Sequence, residues 1–463
     1  MVKRVLIANR GEIALRILRA CREAGIDTVA VYSTADAEAM HVQLAGQAVC
    51  IGPARAAESY LNQTALLTVA KATGCDGLHP GYGFLSENAE FADACAEAGI
   101  TFIGPSGDAI RRAGSKSAAR SLMRGAGVPV TPGSDGPVHS PEAALAEAAQ
   151  VGYPVLLKAS SGGGGRGIRR CDTPEELPPA YAQAQAEAVA CFGSGELYLE
   201  KLVENPRHIE VQILADRQGH VVHLGDRDCS LQRRNQKLIE EAPAWGLSPE
   251  LRHAMGEAAV RAAQAVGYEG AGTVEFLLDC DGVHFYFMEM NTRIQVEHGI
   301  TELVTGVDLV RQQLRIASNL PLDFTQEEVQ ITGHAIECRI NAEDPDHAFR
   351  PCPGTVQFLH LPGGPGVRVD ACLYSGCTLP PYYDSLAAKL MAHAATRLAA
   401  IQKMRRCLEE FTLEGFPTNA ELSYQILYHP AFIRGSCTTG FLDAHLPEFL
   451  AFSRRLAERE EGV

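Results

Sequence analysis

The chain has 463 residues, of which 46% are hydrophobic and 21% are charged, and its formal net charge is −15. This length predicts two or three domains, and the negative charge argues against general binding to nucleic acids or acidic membranes. Any anionic ligand must therefore be met by locally placed basic residues. No apolar run is long enough to cross a bilayer, and the N-terminus lacks a signal-peptide pattern. We expect a cytoplasmic protein that binds neither nucleic acid nor membrane.

The fourteen cysteines are scattered along the chain, and the closest pair is Cys372 and Cys377. No C-x-x-C pair indicates a zinc site or redox chemistry. In a reducing compartment, most of these cysteines are expected to be small buried hydrophobic residues.

Residues 1 to about 110 alternate strand and helix patterns, which predicts a parallel sheet. The first turn, residues 9–12, contains a single glycine, so the glycine pattern of a nicotinamide site is missing. Residues 79–88 follow a strand-like segment, at the sheet edge where such folds bind ligands. Their Gly and Pro content is equally typical of a tight turn, and composition alone favours the turn.

Four consecutive glycines, residues 162–165, lie between Lys158 and Arg166. Residues 168–171 are strand-like and no Gly-Lys-Ser/Thr follows, which excludes a dinucleotide fingerprint and a Walker loop. The pattern instead predicts a hairpin flap over nucleotide phosphates, resembling the glycine-rich loop of kinases. A flexible surface loop is the alternative.

Two further segments follow this flap in the sequence. A strand at residues 197–203 could offer backbone groups to an adenine edge. Basic and acidic residues then cluster between 207 and 240, including His208, Glu210, Arg227 and Lys237. A solvated charged face would explain the same cluster.

Alternating apolar residues around the turn Asp281-Gly282 predict a β-hairpin. Pairing about this turn places Glu275 opposite Glu289, with Asn291 on the same face. Two opposed carboxylates repel unless a cation lies between them, and Mg²⁺ is the natural candidate. An exposed structural pair of glutamates is the alternative.

The segment after the hairpin alternates three polar side chains, those of Arg293, Gln295 and Glu297. On one face, they could hold a small planar anion and remove its proton, with Arg293 binding it and Glu297 acting as the base. Further along, Glu337 and Arg339 alternate in the same way.

These motifs, in this order, resemble those of biotin carboxylase, an ATP-grasp family. The resemblance extends along nearly the whole chain and is carried by five segments, residues 79–88, 158–167, 227–234, 289–298 and 339–344. It implies a mixed α/β and α+β fold in three parts. These are a Rossmann-like N-terminal domain, a central ATP-grasp domain with a glycine-rich lid and a C-terminal biotin carboxylase domain, at residues 1–113, 114–330 and 331–463.

The resemblance also implies a role for individual residues. Lys237, Arg293, Glu297 and Arg339 would be catalytic, with Glu297 deprotonating bicarbonate and Arg339 stabilising the enolate-like oxygen of biotin. Bicarbonate would be held by Lys237, Arg293, Gln295 and Val296, biotin by Arg339 and Tyr82, and metal by Glu275, Glu289 and Asn291. The nucleotide-binding residues would be Lys116, Lys158, Gly164, Gly165, Glu200, Lys201, Leu202, Val203, His208, Asn235, Glu275 and Glu289.

The implied cofactors are ATP, Mg²⁺ or Mn²⁺, and biotin. ATP would phosphorylate bicarbonate to carboxyphosphate, and the carboxyl group would pass to N1 of biotin. Because the sequence has no Met-Lys-Met attachment site, we expect the biotin on a separate carrier protein, with a carboxyltransferase subunit beyond it. Acetyl-CoA carboxylase of fatty acid synthesis is the expected complex, and another acceptor is the alternative. Arg16, Arg19 and Glu23 on the first helix resemble the family's dimer surface, so a homodimer is expected.

Five residues depart from the family pattern, and one of them is Ala388, which replaces a glycine in residues 384–389. Asn235 replaces a histidine that meets the nucleotide, and Gly299 replaces a proline just past Glu297, which is expected to loosen the backbone there. Ser161 interrupts the glycine run, and Pro365 replaces an aromatic residue at the dimer surface. Two other hypotheses stay open. One is another ATP-grasp ligase that acts on a different carboxylate or carbamate, and the other is a non-catalytic scaffold with the same fold, which Asn235 and Gly299 motivate.

Overall fold

The computed structural model describes residues 1–160 and 167–461. The N-terminal part is a five-stranded parallel sheet in the order β3-β2-β1-β4-β5. Val5 and Ile7 pack into one hydrophobic core and Leu6 and Ala8 into another, so both faces of β1 are covered. The elements are β1 Arg4–Ile7, α1 Gly11–Glu23, β2 Asp27–Ser33, α2 Met40–Leu44, β3 Gln47–Gly52, α3 Gln63–Ala72, β4 Gly77–His79, α4 Ala89–Glu97, β5 Thr101–Phe102 and α5 Gly107–Gly114.

A small antiparallel sheet of three strands, in the order β7-β6-β8, follows in the chain. Its apolar face packs against helices α7 and α8 around Leu157 and Leu199. The strand predicted after the glycine run is confirmed as β7. The elements are α6 Lys116–Gly125, α7 Pro141–Val151, β6 Val155–Ala159, β7 Ile168–Cys171, α8 Leu177–Phe192 and β8 Leu197–Lys201.

The largest element is an eight-stranded antiparallel sheet in the order β13-β12-β9-β10-β11-β14-β21-β19. The strands β9 to β13 precede residue 330, whereas β14, β19 and β21 follow it, so the sheet is continuous across that point of the chain. The elements up to α11 are β9 Arg207–Ala215, β10 Val221–Arg233, β11 Gln236–Ala242, α9 Pro249–Val266, β12 Gly270–Leu278, β13 Phe285–Asn291, α10 His298–Thr305 and α11 Leu309–Ala317.

The C-terminal part covers β14 and β21 with helices, and its core is built around Ile336, Leu390 and Ile401. The last helix begins at Phe441, and Pro447 lies inside it. The elements are β14 His334–Asn341, β15 Glu343–Asp344, β16 Arg350–Pro351, β17 Gly354–Thr355, β18 Phe358–His360, β19 Val367–Ala371, β20 Thr378–Leu379, β21 Leu386–Ala394, α12 Arg397–Glu410, β22 Thr412–Glu414, α13 Ala420–Tyr428, α14 Pro430–Arg434 and α15 Phe441–Glu461.

Across the described ranges, 1–160 and 167–461, none of the helices combines the length and the apolar character that a membrane span requires.

Candidate active site

A single ammonium group joins three carboxylates on one face of the large sheet. The Nζ atom of Lys237 lies 2.6 Å from Glu210 Oε2, 2.9 Å from Glu275 Oε1 and 2.7 Å from Glu297 Oε1. Glu210 is on β9, Glu275 on the adjacent β12 and Lys237 on β11, so strand order brings these side chains together. All three carboxylates are buried. We call these four residues the Lys237 cluster.

Arg339 extends the Lys237 cluster onto the next strand. It lies on β14, which pairs with β11, and its guanidinium donates to Glu240 Oε1 at 2.6 Å and to Glu297 Oε2 at 2.8 Å. Each oxygen of Glu297 is therefore held by a different cation, Lys237 on one side and Arg339 on the other. The predicted base is therefore in direct contact with two of the three predicted catalytic cations, Lys237 and Arg339.

Arg227, on β10, also contacts the Lys237 cluster. Its side chain is fully buried and donates to one carboxylate, two amide oxygens and two hydroxyls, those of Glu210, Gln212, Gln295, Thr273 and Thr301. Because every partner is buried, these bonds are strengthened by the low local dielectric and fix the positions of Glu210 and Gln295.

Cations around Glu297 keep it ionised. Burial acts to raise the pKa of Glu297, but the charges of Lys237, Arg339 and Arg227 outweigh it and hold the pKa well below its ordinary value. The neighbouring carboxylates in turn raise the pKa of Lys237, against the effect of burial. The site thus presents a charged ammonium beside an ionised carboxylate.

Two other glutamates on this face of the sheet, Glu240 and Glu337, have pKa values that are raised rather than lowered. Burial and the Glu297 charge raise the pKa of Glu240 to about 7, although Arg339 opposes them. Glu337 stands opposite Glu240 in the β11–β14 register, and within the described ranges neither of its oxygens has a hydrogen-bond partner. Burial and Glu240 raise the pKa of Glu337 well above its ordinary value, against the effect of Lys389. Burial without a hydrogen-bond partner among the described residues thus disfavours the charged form of Glu337.

The predicted hairpin is confirmed, and its register pairs Glu275 with Glu289 and Thr273 with Asn291. Glu289 and Asn291, two residues apart on one strand, therefore share the face of Glu275. Two carboxylates and an amide oxygen are donors that Mg²⁺ prefers, so the three side chains fit such an ion. His208 also contacts Glu275, at 3.0 Å between Nε2 and Oε2. The Glu275 charge raises the pKa of His208 against the effect of burial.

The segment that carries Arg293, Gln295 and Glu297 is not the strand that its alternation suggests. β13 ends at Asn291, and residues 292–297 form bends and turns before α10. The three side chains nevertheless lie at the site. Gln295 Nε2 donates to Glu275 Oε1 at 2.8 Å, and Arg293 contacts Asn291 Oδ1 at 3.1 Å.

The loop at residues 79–88 reaches this site from the N-terminal sheet. Arg293 Nε lies 3.0 Å from Glu87 Oε2, and the backbone amide of Thr292 donates to the same carboxylate. In this loop, the Tyr82 hydroxyl donates to Glu12. Burial raises the pKa of Tyr82 well above its ordinary value, and the charge of Arg339 acts to lower it. The loop is therefore more than a tight turn, although composition favoured that interpretation.

Among the residues predicted to bind the nucleotide, Lys158, Glu200 and Lys201 lie on the small sheet, and Leu202 and Val203 directly follow its strand β8. Lys158 forms an ion pair with Glu200, which also accepts from Arg120 at 3.0 Å. The Lys201 ammonium donates to the carbonyl oxygens of Gly152 and Tyr153. The amides of Lys201 and Leu202 donate to Pro132 and Pro154, and Val203 is buried. The two amides are therefore already bonded, which leaves other backbone groups of this stretch for an adenine edge.

Some predicted positions lie outside the described part of the chain. These are Ser161, Gly164 and Gly165, together with the side chain of Lys116. Their predicted roles stay predictions.

The structure explains two departures from the family pattern. Arg234 and Asn235 both have positive φ angles, +47° and +66°, in the turn between β10 and β11. Asn adopts this left-handed conformation more readily than most residues. Gly299 lies inside α10, where an added Cβ would approach the Met391 sulfur to 2.4 Å. This glycine is helical, buried and packed against Met391, and the expected loosening past Glu297 stays a prediction.

Several buried charged residues of the site carry no sequence signal that singles them out. They are Glu12, Glu240 and Lys389, which approach the site from α1, β11 and β21. The only available signal is a charged residue within an otherwise apolar strand pattern, as in residues 386–394, because such a residue must find a buried partner.

Three family models together match most of the chain. They are "Biotin carboxylase, N-terminal domain" over residues 1–110, "Carbamoyl-phosphate synthase L chain, ATP binding domain" over 115–325 and "Biotin carboxylase C-terminal domain" over 337–444. Biotin carboxylase 1 of Bacillus subtilis is 54% identical over 445 residues, which cover 96% of this chain and 99% of that protein. The chain belongs to the biotin carboxylase family. Enzymes of this family are ATP-dependent ligases, and the predicted enzyme class is confirmed.

Solved structures agree with this assignment. The biotin carboxylase of Campylobacter jejuni, described as an ATP complex, matches with a TM-score of 0.92 and 47% identity, covering 96% of this chain and 99% of that one. The biotin carboxylase domain of a Hydrogenobacter thermophilus 2-oxoglutarate carboxylase matches with a TM-score of 0.91 and 49% identity, covering 97% and 99%. That structure is described as a dimer in complex with MgADP, ADP and bicarbonate. The predicted three-part fold is confirmed.

Proposed function

We propose that the chain carboxylates biotin on a separate carrier protein, and that Glu297 is the base of the reaction. The observation that carries this proposal is the double contact of Glu297 with Lys237 and Arg339. A bicarbonate held by Lys237, Arg293, Gln295 and the backbone of Val296 would give its proton to Glu297. One of its oxygens then attacks the γ-phosphorus of ATP, which releases ADP and forms carboxyphosphate.

The charges of the Lys237 cluster support this order of events. While Lys237 and Arg339 hold it, Glu297 is ionised and is a weak base. An anion that draws Lys237 toward itself weakens one of those contacts, and the pKa of Glu297 rises toward the range of an effective general base. Anion binding and base activation are thereby coupled through one ammonium group.

Arg339 is proposed to act in the second step. In this step carboxyphosphate would break into CO₂ and phosphate, and the phosphate would take the proton of biotin N1. Negative charge develops on the ureido oxygen as N1 loses this proton, before N1 bonds to the carbon of CO₂. A guanidinium already oriented by Glu240 stabilises this charge without reorganisation. Tyr82, on the loop beside Arg339, is the proposed second contact of biotin.

At the nucleotide end, Glu275, Glu289 and Asn291 would hold Mg²⁺ or Mn²⁺, with His208 beside them. The metal neutralises phosphate charge during phosphoryl transfer. Lys158, on the small sheet, is proposed to contact the phosphates, and Lys116, Gly164 and Gly165 remain proposed nucleotide contacts. Asn235 lies at the tip of the β10–β11 turn, close in sequence to Lys237.

The partners follow from the chemistry of the product. Carboxybiotin must be consumed by a carboxyl transfer, so we propose a biotin carrier protein and a carboxyltransferase subunit as partners, in a homodimeric complex of the acetyl-CoA carboxylase type located in the cytoplasm. Another final acceptor is the alternative, because the relatives with known structures include the biotin carboxylase parts of a pyruvate carboxylase and a 2-oxoglutarate carboxylase.

The test measures ADP release with free biotin and Mg²⁺, with and without bicarbonate. For Glu297→Gln we expect a loss of about 10²- to 10⁴-fold in bicarbonate-dependent rate, the usual contribution of a general base. Glu269→Gln is the matched control, since Glu269 pairs with Arg217 away from the Lys237 cluster. Equal rates in the wild type and in Glu297→Gln would exclude Glu297 as the base.

The acceptor requires a separate measurement. Carboxybiotin loaded on the carrier protein is offered with the purified carboxyltransferase to acetyl-CoA, propionyl-CoA, pyruvate and 2-oxoglutarate in parallel. We expect transfer to acetyl-CoA, and transfer to a keto acid alone would contradict the acetyl-CoA proposal while leaving biotin carboxylation intact.

A further inference from the structure

Lys389 is a fully buried lysine at the meeting point of three parts of the chain. It lies on β21, and its side chain has no solvent exposure. Its ammonium donates to the backbone oxygen of Val296 at 2.7 Å and lies 3.1 Å from Glu12 Oε1 and 3.8 Å from Asp370 Oδ2. Val296 belongs to the loop before α10, Glu12 to α1 of the N-terminal sheet and Asp370 to β19.

The contact with Val296 matters because of where that residue lies. Residues 292–297 form no strand, so ladder hydrogen bonds do not fix the shape of this segment. Val296 lies between Gln295 and Glu297, which both belong to the proposed bicarbonate site. A charge-assisted bond to its carbonyl fixes the peptide group that leads into Glu297.

The contact with Glu12 continues to the proposed biotin side of the site. Glu12 Oε1 accepts from the Tyr82 hydroxyl as well as from Lys389. One carboxylate oxygen therefore joins the ammonium of Lys389 to the tyrosine proposed to meet biotin. Through Val296 and Glu12, the same lysine touches supports of both substrates.

The surroundings of Lys389 favour its charged form, and its partner Asp370 is bound by a second cation. Burial acts to lower the pKa of Lys389, but Glu12, Glu337 and Asp370 outweigh it and raise this pKa. Asp370 also binds Arg368 through both oxygens, at 3.0 and 2.7 Å, and Arg368 binds Glu302 of α10 at 2.6 Å. Both ends of residues 296–302 are thus tied to the outer strands of the large sheet.

We propose that Lys389 is a positioning residue, which aligns the bicarbonate-binding loop through Val296 and the biotin-side Tyr82 through Glu12. The inference rests on the proposed function, since it assumes that these two groups meet bicarbonate and biotin. The nucleotide end lies on other elements, and Lys158 and Glu200 have no contact with Lys389 among the described hydrogen bonds and ion pairs.

The test compares Lys389→Met with Lys403→Met by ADP release with free biotin. Lys403 is a matched control because it also donates to backbone oxygens, those of Pro365 and His393, in the same part of the chain. For Lys389→Met we expect KM for bicarbonate and KM for biotin to rise about 10- to 100-fold, the value of one charged hydrogen bond, with KM for ATP unchanged. Lys403→Met should match the wild type.

Two variants of Glu12 test the biotin branch by itself. Glu12→Ala removes the acceptor of Tyr82 and should raise KM for biotin alone, because Lys389 keeps Val296 and Asp370. Glu12→Gln restores an acceptor and should recover the wild-type KM. A merely structural role would not produce this split, and the pair decides the question if Lys389→Met does not fold.

The outcomes separate this inference from the proposed function. A wild type without bicarbonate-dependent ADP release overturns the proposed function itself. An active wild type with Lys389→Met indistinguishable from Lys403→Met, or with KM for ATP raised as much as the other two, overturns the role of Lys389. An unchanged KM for biotin in Glu12→Ala overturns the biotin branch.

Discussion

The Lys237 cluster and the Lys158–Glu200 pair are both polar sites of one enzyme, but they are built differently. Lys237 contacts three buried carboxylates, two from adjacent strands of the large sheet and one from the loop before α10. Among the residues that the structure describes, Lys158 has one carboxylate partner, on the adjacent strand of the small sheet, and its side chain is 21% exposed. Lys237 is held by three carboxylates, whereas Lys158 depends on Glu200, which it shares with Arg120, and lies nearer to solvent.

This difference indicates a division of labour. The cluster positions a small anion and a base, which requires fixed geometry before the substrate arrives. The small sheet is proposed to contact phosphates, and a lysine held by one carboxylate can exchange that partner for a phosphate at little cost. Stability should therefore depend strongly on the first site and weakly on the second.

Replacing Lys237 should have the largest effect on stability. Lys237→Met leaves Glu210, Glu275 and Glu297 buried around an uncharged side chain, and we expect the free energy of unfolding to fall by about 3–5 kcal/mol. Urea unfolding followed by circular dichroism measures this change. Lys403→Met is the control, and a loss no larger than the control's would show that the cluster is not held by its ammonium.

The pH dependence of stability should reveal the carboxyl of Glu240, whose pKa rises from its ordinary 4.5 to about 7 in the folded chain. The folded state holds this proton more tightly. Its contribution to the free energy of unfolding is therefore complete below about pH 4.5 and is lost as pH rises through about 7. Its size is at most about 3 kcal/mol. Unfolding at several pH values should show a steeper decline for the wild type than for Glu240→Gln. Parallel curves would place the titration elsewhere.

Replacing Lys158 should change stability least. In Lys158→Met, Glu200 keeps its contact with Arg120, so we expect a loss of about 1 kcal/mol or less. KM for ATP should nevertheless rise about tenfold or more, because a charged contact to phosphate is removed. Unfolding experiments and steady-state kinetics on one preparation check the stability loss and the change in KM for ATP. A stability loss as large as that of Lys237→Met would remove the distinction between the two sites.

Local features of the site were predictable from the sequence. The pairing of Glu275 with Glu289 follows from a turn of known geometry and a period of two, and the register confirms it. In the segment from Arg293 to Glu297, the sequence pattern predicts the wrong local structure. Their alternation predicts a strand, but the ladder stops at Asn291, and the side chains converge because Glu87, Arg227 and Lys237 hold them.

The contacts that sequence reasoning missed join residues far apart in the chain. Glu240 and Arg339 are 99 residues apart, and Val296 and Lys389 are 93 apart. A residue type at one position does not reveal a partner that only the order of strands in the sheet brings close. Glu337 is a different case, because within the described ranges its oxygens have no hydrogen-bond partner and burial raises its pKa. The local sequence pattern does not show that this residue is buried.

The continuity of the eight-stranded sheet limits how this enzyme can move. Between β11 and β14, four residue pairs run from Ile239–Cys338 to Ala242–Ala335. A hinge at this place would break that ladder and separate Lys237 from Arg339, the two cations that share Glu297. Opening and closing for substrate must therefore bend the chain elsewhere, and a cut or permutation placed near residue 330 would need both fragments to rebuild one uninterrupted sheet.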